Sequence, residues 1–136
     1  MTSYACRHFI IEELVPPIVF NARGILAWEL LDAGMLRVLD RLRDKFGPMT
    51  INNWKWGGSR EWSGLRIPIS PYYSQYSQHS FGRAFDIVFQ DVDVNTVREY
   101  ILNNQYEFPE IGGVELETSW LHIDGRNYEG IKTFKP

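Results

Sequence analysis

Cysteine is almost missing from this 136-residue chain, which holds Cys6 and no other. No internal disulfide can form, no cysteine zinc cluster can assemble, and nothing in the composition requires an oxidising compartment. A basic stripe is missing as well. The 14 Lys and Arg are scattered and outnumbered by 17 Asp and Glu, giving a net charge of -3. That balance argues against a nucleic acid partner and against polybasic attachment to a membrane. The first thirteen residues, Met-Thr-Ser-Tyr-Ala-Cys-Arg-His-Phe-Ile-Ile-Glu-Glu, meet charge before any sustained apolar run. Neither a secretory signal nor a membrane span is expected there, and the expected location as synthesised is the cytoplasm. Repeats, low-complexity tracts and Pro/Gly linkers are also lacking, so one domain over residues 1–136 is expected, monomeric and large enough to bury a core unaided.

What is present reads as α+β, with helices packed on a small, mainly antiparallel sheet. Residues 9–19 look extended and stopped by Pro16-Pro17. Residues 27–46 carry Leu30, Leu31, Met35, Leu36, Val38, Leu39 and Leu42 near helical spacing, and Gly47-Pro48 ends that helix. Residues 49–56 favour a strand closed by Gly57-Gly58, and about twenty Gly-, Ser-, Pro- and Tyr-rich residues follow. Structureless segments of that length are usually functional, and this one is expected to form a substrate-binding wall. A strand over 83–89, a helix over 93–103 begun by Asp93, and two strands over 113–117 and 120–124 complete the expectation.

Chemistry concentrates in two short segments. Residues 77–86 read Ser-Gln-His-Ser-Phe-Gly-Arg-Ala-Phe-Asp, and residues 120–124 read Trp-Leu-His-Ile-Asp. Catalytic zinc takes three protein ligands from His and Asp/Glu and keeps a fourth position for water, and His79, Asp86 and His122 supply such a set. Each alone has a plain structural reading, as a hydrogen-bonded or buried side chain. Together they use two of the three histidines, leaving His8 as a structural residue. Asp86 strengthens the case, because an unpaired carboxylate in the apolar run Ala-Phe-Asp-Ile-Val-Phe would be costly to bury and a metal offsets that cost. Gly82 and Ala84 are then expected to let the backbone pass close to the metal, with Ser77 as a hydrogen-bonding support beside the substrate.

The pattern Ser-x-His-x-x-Gly-x-Ala-x-Asp, followed later by Trp-x-His, resembles the M15 family of zinc peptidases that cut D-alanyl and related bonds in bacterial peptidoglycan. Ser63-Gly64-Leu65-Arg66 is similar to the Ser-Gly-Tyr-Arg element that precedes the first ligand motif in many members, with Leu65 replacing the usual aromatic. The resemblance implies that Arg66 holds substrate; a guanidinium there can grip a peptide carboxylate in bidentate fashion, and Arg60 is the second candidate. It also implies a zinc cofactor, a peptidoglycan stem peptide as partner, Trp120 as a wall of the site and Asp124 as a supporting carboxylate. Trp54, Trp56, Trp62, Tyr72, Tyr73 and Tyr76 either line the cleft or fill a core.

The general base departs from the commonest form of the family. Where many members carry an acid three residues before the last ligand, this chain has Ser119. Other members place the acid five residues before, which is Glu117 here, with Glu115 in reserve. Two function classes follow: a zinc peptidase, either an endopeptidase or a D-Ala-D-Ala carboxypeptidase of the small lytic type that phages deliver to the wall, or a metal-binding structural or assembly protein on the same fold whose catalysis has decayed.

Overall fold

The computed structural model describes residues 3–136 and has three α-helices and a five-stranded mixed sheet. The strands are β1 (Met49–Thr50), β2 (Ala84–Phe89), β3 (Gly113–Glu115), β4 (Leu121–Asp124) and β5 (Lys132–Phe134), in the order β1-β2-β4-β3-β5. Three of the pairings are antiparallel and β3–β5 is parallel. The α+β expectation therefore holds, with β5 an addition that three residues of sequence could not announce.

Side chains alternate across a strand, so register decides what each face of this sheet can do. Phe85 pairs with Ile123 and Ile87 with Leu121. All four, with Val114 of β3, are fully buried on one face. They share a single core with Met35, Leu36, Val38, Leu39 and Leu42 of α2 (Ala33–Phe46) and with Val97 and Ile101 of α3 (Val94–Asn103). Each such side chain contributes roughly 1.5–3 kcal/mol by leaving water, which makes this face the main anchor of the fold. The alternate positions, among them Asp86, His122, Asp124 and Glu115, project to the other face.

Helix α2 starts later than the periodicity suggests. Residues 24–30 form 3-10 turns instead, and Leu31 and Asp32 are extended. The reason is a double use of Asp32: its backbone N–H donates to the Gly82 carbonyl, and its side chain accepts from the Met35 N–H as the helix cap. Residues 9–19 are not extended. A 3-10 turn spans Ile11–Glu13, and α1 (Pro17–Arg23) begins on Pro17, a position where the missing N–H costs nothing. The strand expected over 49–56 is only Met49–Thr50, because the backbones of Asn52 and Asn53 bond to Glu13 and Arg60 rather than to the sheet. Trp54–Trp56 then forms a 3-10 turn. Helix α3 matches expectation, including Asp93 as its cap.

The long segment between the Trp54–Trp56 turn and the Gln78–Phe81 turn has no helix or strand, as expected, but it is not loose. Asn53 and Arg60 exchange hydrogen bonds in both directions, Ser63 N–H donates to the Asn52 side chain, and Leu65 N–H donates to the Leu14 carbonyl. Among the described residues no helix is long and apolar enough to cross a membrane.

Candidate metal centre

Asp86 and His122 are register partners across β2 and β4, so the sheet itself brings them together on the face away from the core. His79 arrives from the Gln78–Phe81 turn, whose first N–H groups are met by Ser77: its hydroxyl accepts from His79 N–H at 3.3 Å. Gly82 ends the turn with φ +70, and a Cβ there would sit 1.9 Å from the Leu30 carbonyl oxygen. Its smallness serves the crossing of the 30–32 segment rather than an approach to a metal, which corrects the sequence expectation.

One potential ligand atom from each of His79, Asp86 and His122 lies within 4.8 Å of the others. His122 Nδ1 is 2.9 Å from Asp86 Oδ1, and His79 Nε2 is 3.3 Å from that same oxygen. The opposite ring nitrogens are both engaged. His79 Nδ1 donates to the Gly64 carbonyl at 2.8 Å, and His122 Nε2 donates to Asp124 Oδ2 at 2.8 Å. Metal-binding histidines characteristically have their far nitrogen held in this way, which fixes tautomer and ring direction. The donor set thus fits a divalent metal favoured by two imidazoles and one carboxylate.

Supporting contacts extend outward in two directions. Arg66 donates to Asp86 Oδ2 at 3.0 Å and, through Nε, to the Trp62 carbonyl at 2.7 Å. On the other side Asp124, wholly buried, accepts from Arg126 Nε at 2.8 Å and Nη2 at 2.7 Å. A Cβ at Gly113 would fall 2.5 Å from Asp124 Oδ1 and Arg126 Nε, so glycine on β3 makes room for that pair. Arg126 also lies 4.5 Å over the Phe134 ring, and Phe134 meets His122 edge-on at 5.6 Å.

Electrostatics follow from these contacts. Burial pushes the Asp86 carboxyl up, but hydrogen bonds from His122 and His79 outweigh it and hold the group well below the usual carboxylate range. Asp124 is likewise held low against burial by Arg126 and His122. Burial would lower His122, yet its bonds to Asp124 and Asp86 raise it to about 9.

The cluster lies in a cleft of about 670 Å³ walled by Ser59, Arg60, Glu61, Trp62, Tyr72, Ser77, Glu115, Trp120 and Phe134. Arg66 and Arg126 reach it too, and much of the wall comes from the 59–77 segment. The aromatic residues divide cleanly. Trp62, Tyr72 and Trp120 line the cleft, whereas Trp54 packs on Phe20 and donates to the Val15 carbonyl; Trp56 and Tyr76 are exposed and Tyr73 is half-buried, all three outside the cleft lining.

Glu117 is not brought to the cleft. It sits beyond the end of β3 in a left-handed conformation with φ 61, its side chain 63 % exposed and 3.4 Å from Lys135. Glu115 instead lines the cleft with Asp86 and His122, as does Glu61 from the 59–77 segment. Register explains the difference: Gly113 pairs with Asp124 and Val114 with Ile123, so Glu115 falls on the site face before the chain turns away. The turn is stapled by buried Arg98 of α3, which donates to the carbonyls of Glu115, Thr118 and Trp120. His8 lies far from the cluster, bonded to Asp44 on α2. Arg98, Arg126 and Phe134 gave no signal in the sequence, because nothing in their spacing distinguishes them from surface residues.

No protein-family model, curated protein or solved structure matches this chain.

Proposed function

We propose that the chain is a zinc-dependent peptidase of the M15 type that cuts peptide bonds in bacterial peptidoglycan stems. The observation that carries this reading is the convergence of His79 Nε2, Asp86 Oδ1 and His122 Nδ1 at the floor of a cleft, with the far nitrogen of each histidine already anchored. The sequence motifs around these residues support it independently. Zinc, when bound there, supplies Lewis acidity and a water of pKa about 7.

The protein's own groups then divide the remaining tasks. Glu115 is the general base, accepting a proton from the attacking water and returning it to the leaving amine. Arg66 fixes the direction of the Asp86 carboxylate. Tyr72 and Trp120 flank the peptide, and Ser77 keeps His79 in place. A phage or prophage lytic enzyme, monomeric and carried to the wall by other proteins, fits this chemistry.

A metal-binding assembly protein with decayed catalysis is the second reading, favoured by Ser119 and by the outward placement of Glu117. Digestion of purified cell walls with mass analysis of the products separates the two. The peptidase releases new amino termini that disappear with chelator and return with zinc, and the cut bond tells endopeptidase from carboxypeptidase. Zinc-loaded protein that leaves walls and soluble stem peptides intact supports the assembly reading.

A further inference from the structure

The resemblance assigns the substrate's carboxylate to Arg66, yet the site gives that guanidinium other work. Arg66 is ion-paired to Asp86 with both side chains largely buried, 16 % and 14 % exposed. Its charge is already balanced by Asp86, so although its Nη1 has no protein partner among the described residues, a substrate carboxylate would meet a neutralised pair. Arg126 is taken as well, bidentate on Asp124. Of the three guanidinium groups in the cleft, Arg60 is the one without a carboxylate partner among the described residues. Glu61 and Glu115 line the same cleft, and neither is ion-paired to it.

The geometry points to Arg60 as the residue that anchors the free terminal carboxylate of a stem peptide. This rests on the peptidase reading above and adds its recognition element. Arg60 is rigidly mounted. Its backbone N–H donates to the Asn53 side chain and its carbonyl accepts from Asn53 N–H, both at 2.9 Å. Its Nε donates to the Ile51 carbonyl at 3.0 Å, and Nη2 reaches the carbonyl of Asp86 at 3.5 Å. That last contact places the guanidinium beside a metal ligand while leaving Nη1 without a protein partner among the described residues. A fork held in advance loses little freedom on binding a planar anion, which is what makes such an anchor selective.

The test compares N-acetyl-D-alanine with its carboxamide as ligands for the zinc-loaded protein, by calorimetric titration of wild type, Arg60→Gln, Arg60→Lys and Arg66→Gln. Wild type should prefer the carboxylate by about 10-fold or more, the scale of one charge-assisted hydrogen-bonded contact. Arg60→Gln should abolish that preference with zinc content unchanged, and Arg60→Lys should keep part of it. Equal binding of acid and amide by wild type overturns the assignment, whatever the variants do. So does a preference that survives Arg60→Gln or falls only in Arg66→Gln. Because binding is read without turnover, a protein that shows the Arg60-dependent preference but cuts no stem peptide contradicts the peptidase reading alone. One that cuts stem peptides with a preference indifferent to Arg60 contradicts the anchor alone.

Discussion

Asp86 and His122 face each other as partners in the β2–β4 ladder, and their side chains meet at 2.9 Å on the face of the sheet that turns away from the core. Because the same ladder buries Phe85 and Ile123 on the opposite face, the geometry of the His79, Asp86 and His122 cluster is tied to the packing that stabilises the fold. A one-residue slip of either strand would turn its cluster residue into the core and its core residues out to solvent, and is strongly disfavoured.

The first prediction concerns that support. His79→Ala and His122→Ala should each abolish stoichiometric zinc binding. Asp124→Asn keeps the shape but weakens the acceptor that orients His122, and should lower zinc affinity by about 10- to 100-fold. Competition with a chromophoric chelator measures all three. Wild-type affinity in Asp124→Asn would show that the Asp124–His122 contact is not an orienting one.

A second prediction follows from the proton on His122. In the metal-free protein its pKa is raised to about 9, so at pH 7.5 zinc must displace about one proton. Apparent zinc affinity should therefore climb by about tenfold per pH unit toward about 9, instead of levelling near the ordinary histidine value of about 6.5. Stability of the metal-free protein carries the same signature. The raised His122 contributes fully below about 6.5 and its contribution is lost as pH rises through about 9. The lowered Asp86 contributes above about 4 and its contribution is lost on acidification. Thermal midpoints with chelator should fall from pH 6.5 to 9, and a flat profile over that window would contradict the assignment.

The third prediction separates the two glutamates. Glu115→Gln should lower turnover on a stem peptide by roughly 100-fold or more with zinc content unchanged, the scale of lost acid-base catalysis. Glu117→Gln should change it less than about twofold, since its charge is solvated and near Lys135. The opposite ranking, measured as kcat at saturating substrate, would mean that the 115–120 turn rearranges when substrate binds.

Much of this site was legible because its ligands sit in short, chemically distinctive segments. His79, Asp86 and His122 could be named from residue type and neighbours, and a carboxylate in the apolar run Ala84-Phe85-Asp86-Ile87 singled out Asp86 as needing a partner. Choosing between Glu115 and Glu117 required the end of β3, which depends on Arg98 drawing carbonyls of the following turn toward α3, a contact between residues about twenty positions apart. Arg66 looked like a free substrate grip because its partner, Asp86, lies twenty residues away. The start of α2 was misplaced for the same kind of reason: Gly82, fifty residues downstream, captures the Asp32 N–H and breaks the run of helical spacing. Local pattern revealed the cluster residues and the helices; long-range hydrogen bonds set where the elements end.

Gly82→Ala forms the fourth prediction. Both the left-handed backbone and the close Leu30 carbonyl oppose a Cβ, so the variant should lose at least about 2 kcal/mol of stability. Zinc affinity should fall with it, because Gly82 closes the turn that carries His79. Denaturant unfolding checks the first effect and chelator competition the second. A variant of unchanged stability would mean that the 30–32 segment yields freely.

On the proposal above, one zinc held by His79, Asp86 and His122 would make this cleft a peptidase. The most direct measurement is turnover of a peptidoglycan stem peptide, followed by release of new amino groups, while zinc is titrated into metal-free protein. Turnover should be absent without zinc, rise in proportion to zinc added and level off at about one zinc per chain. Turnover indifferent to zinc, or zinc-saturated protein that releases nothing, would contradict it.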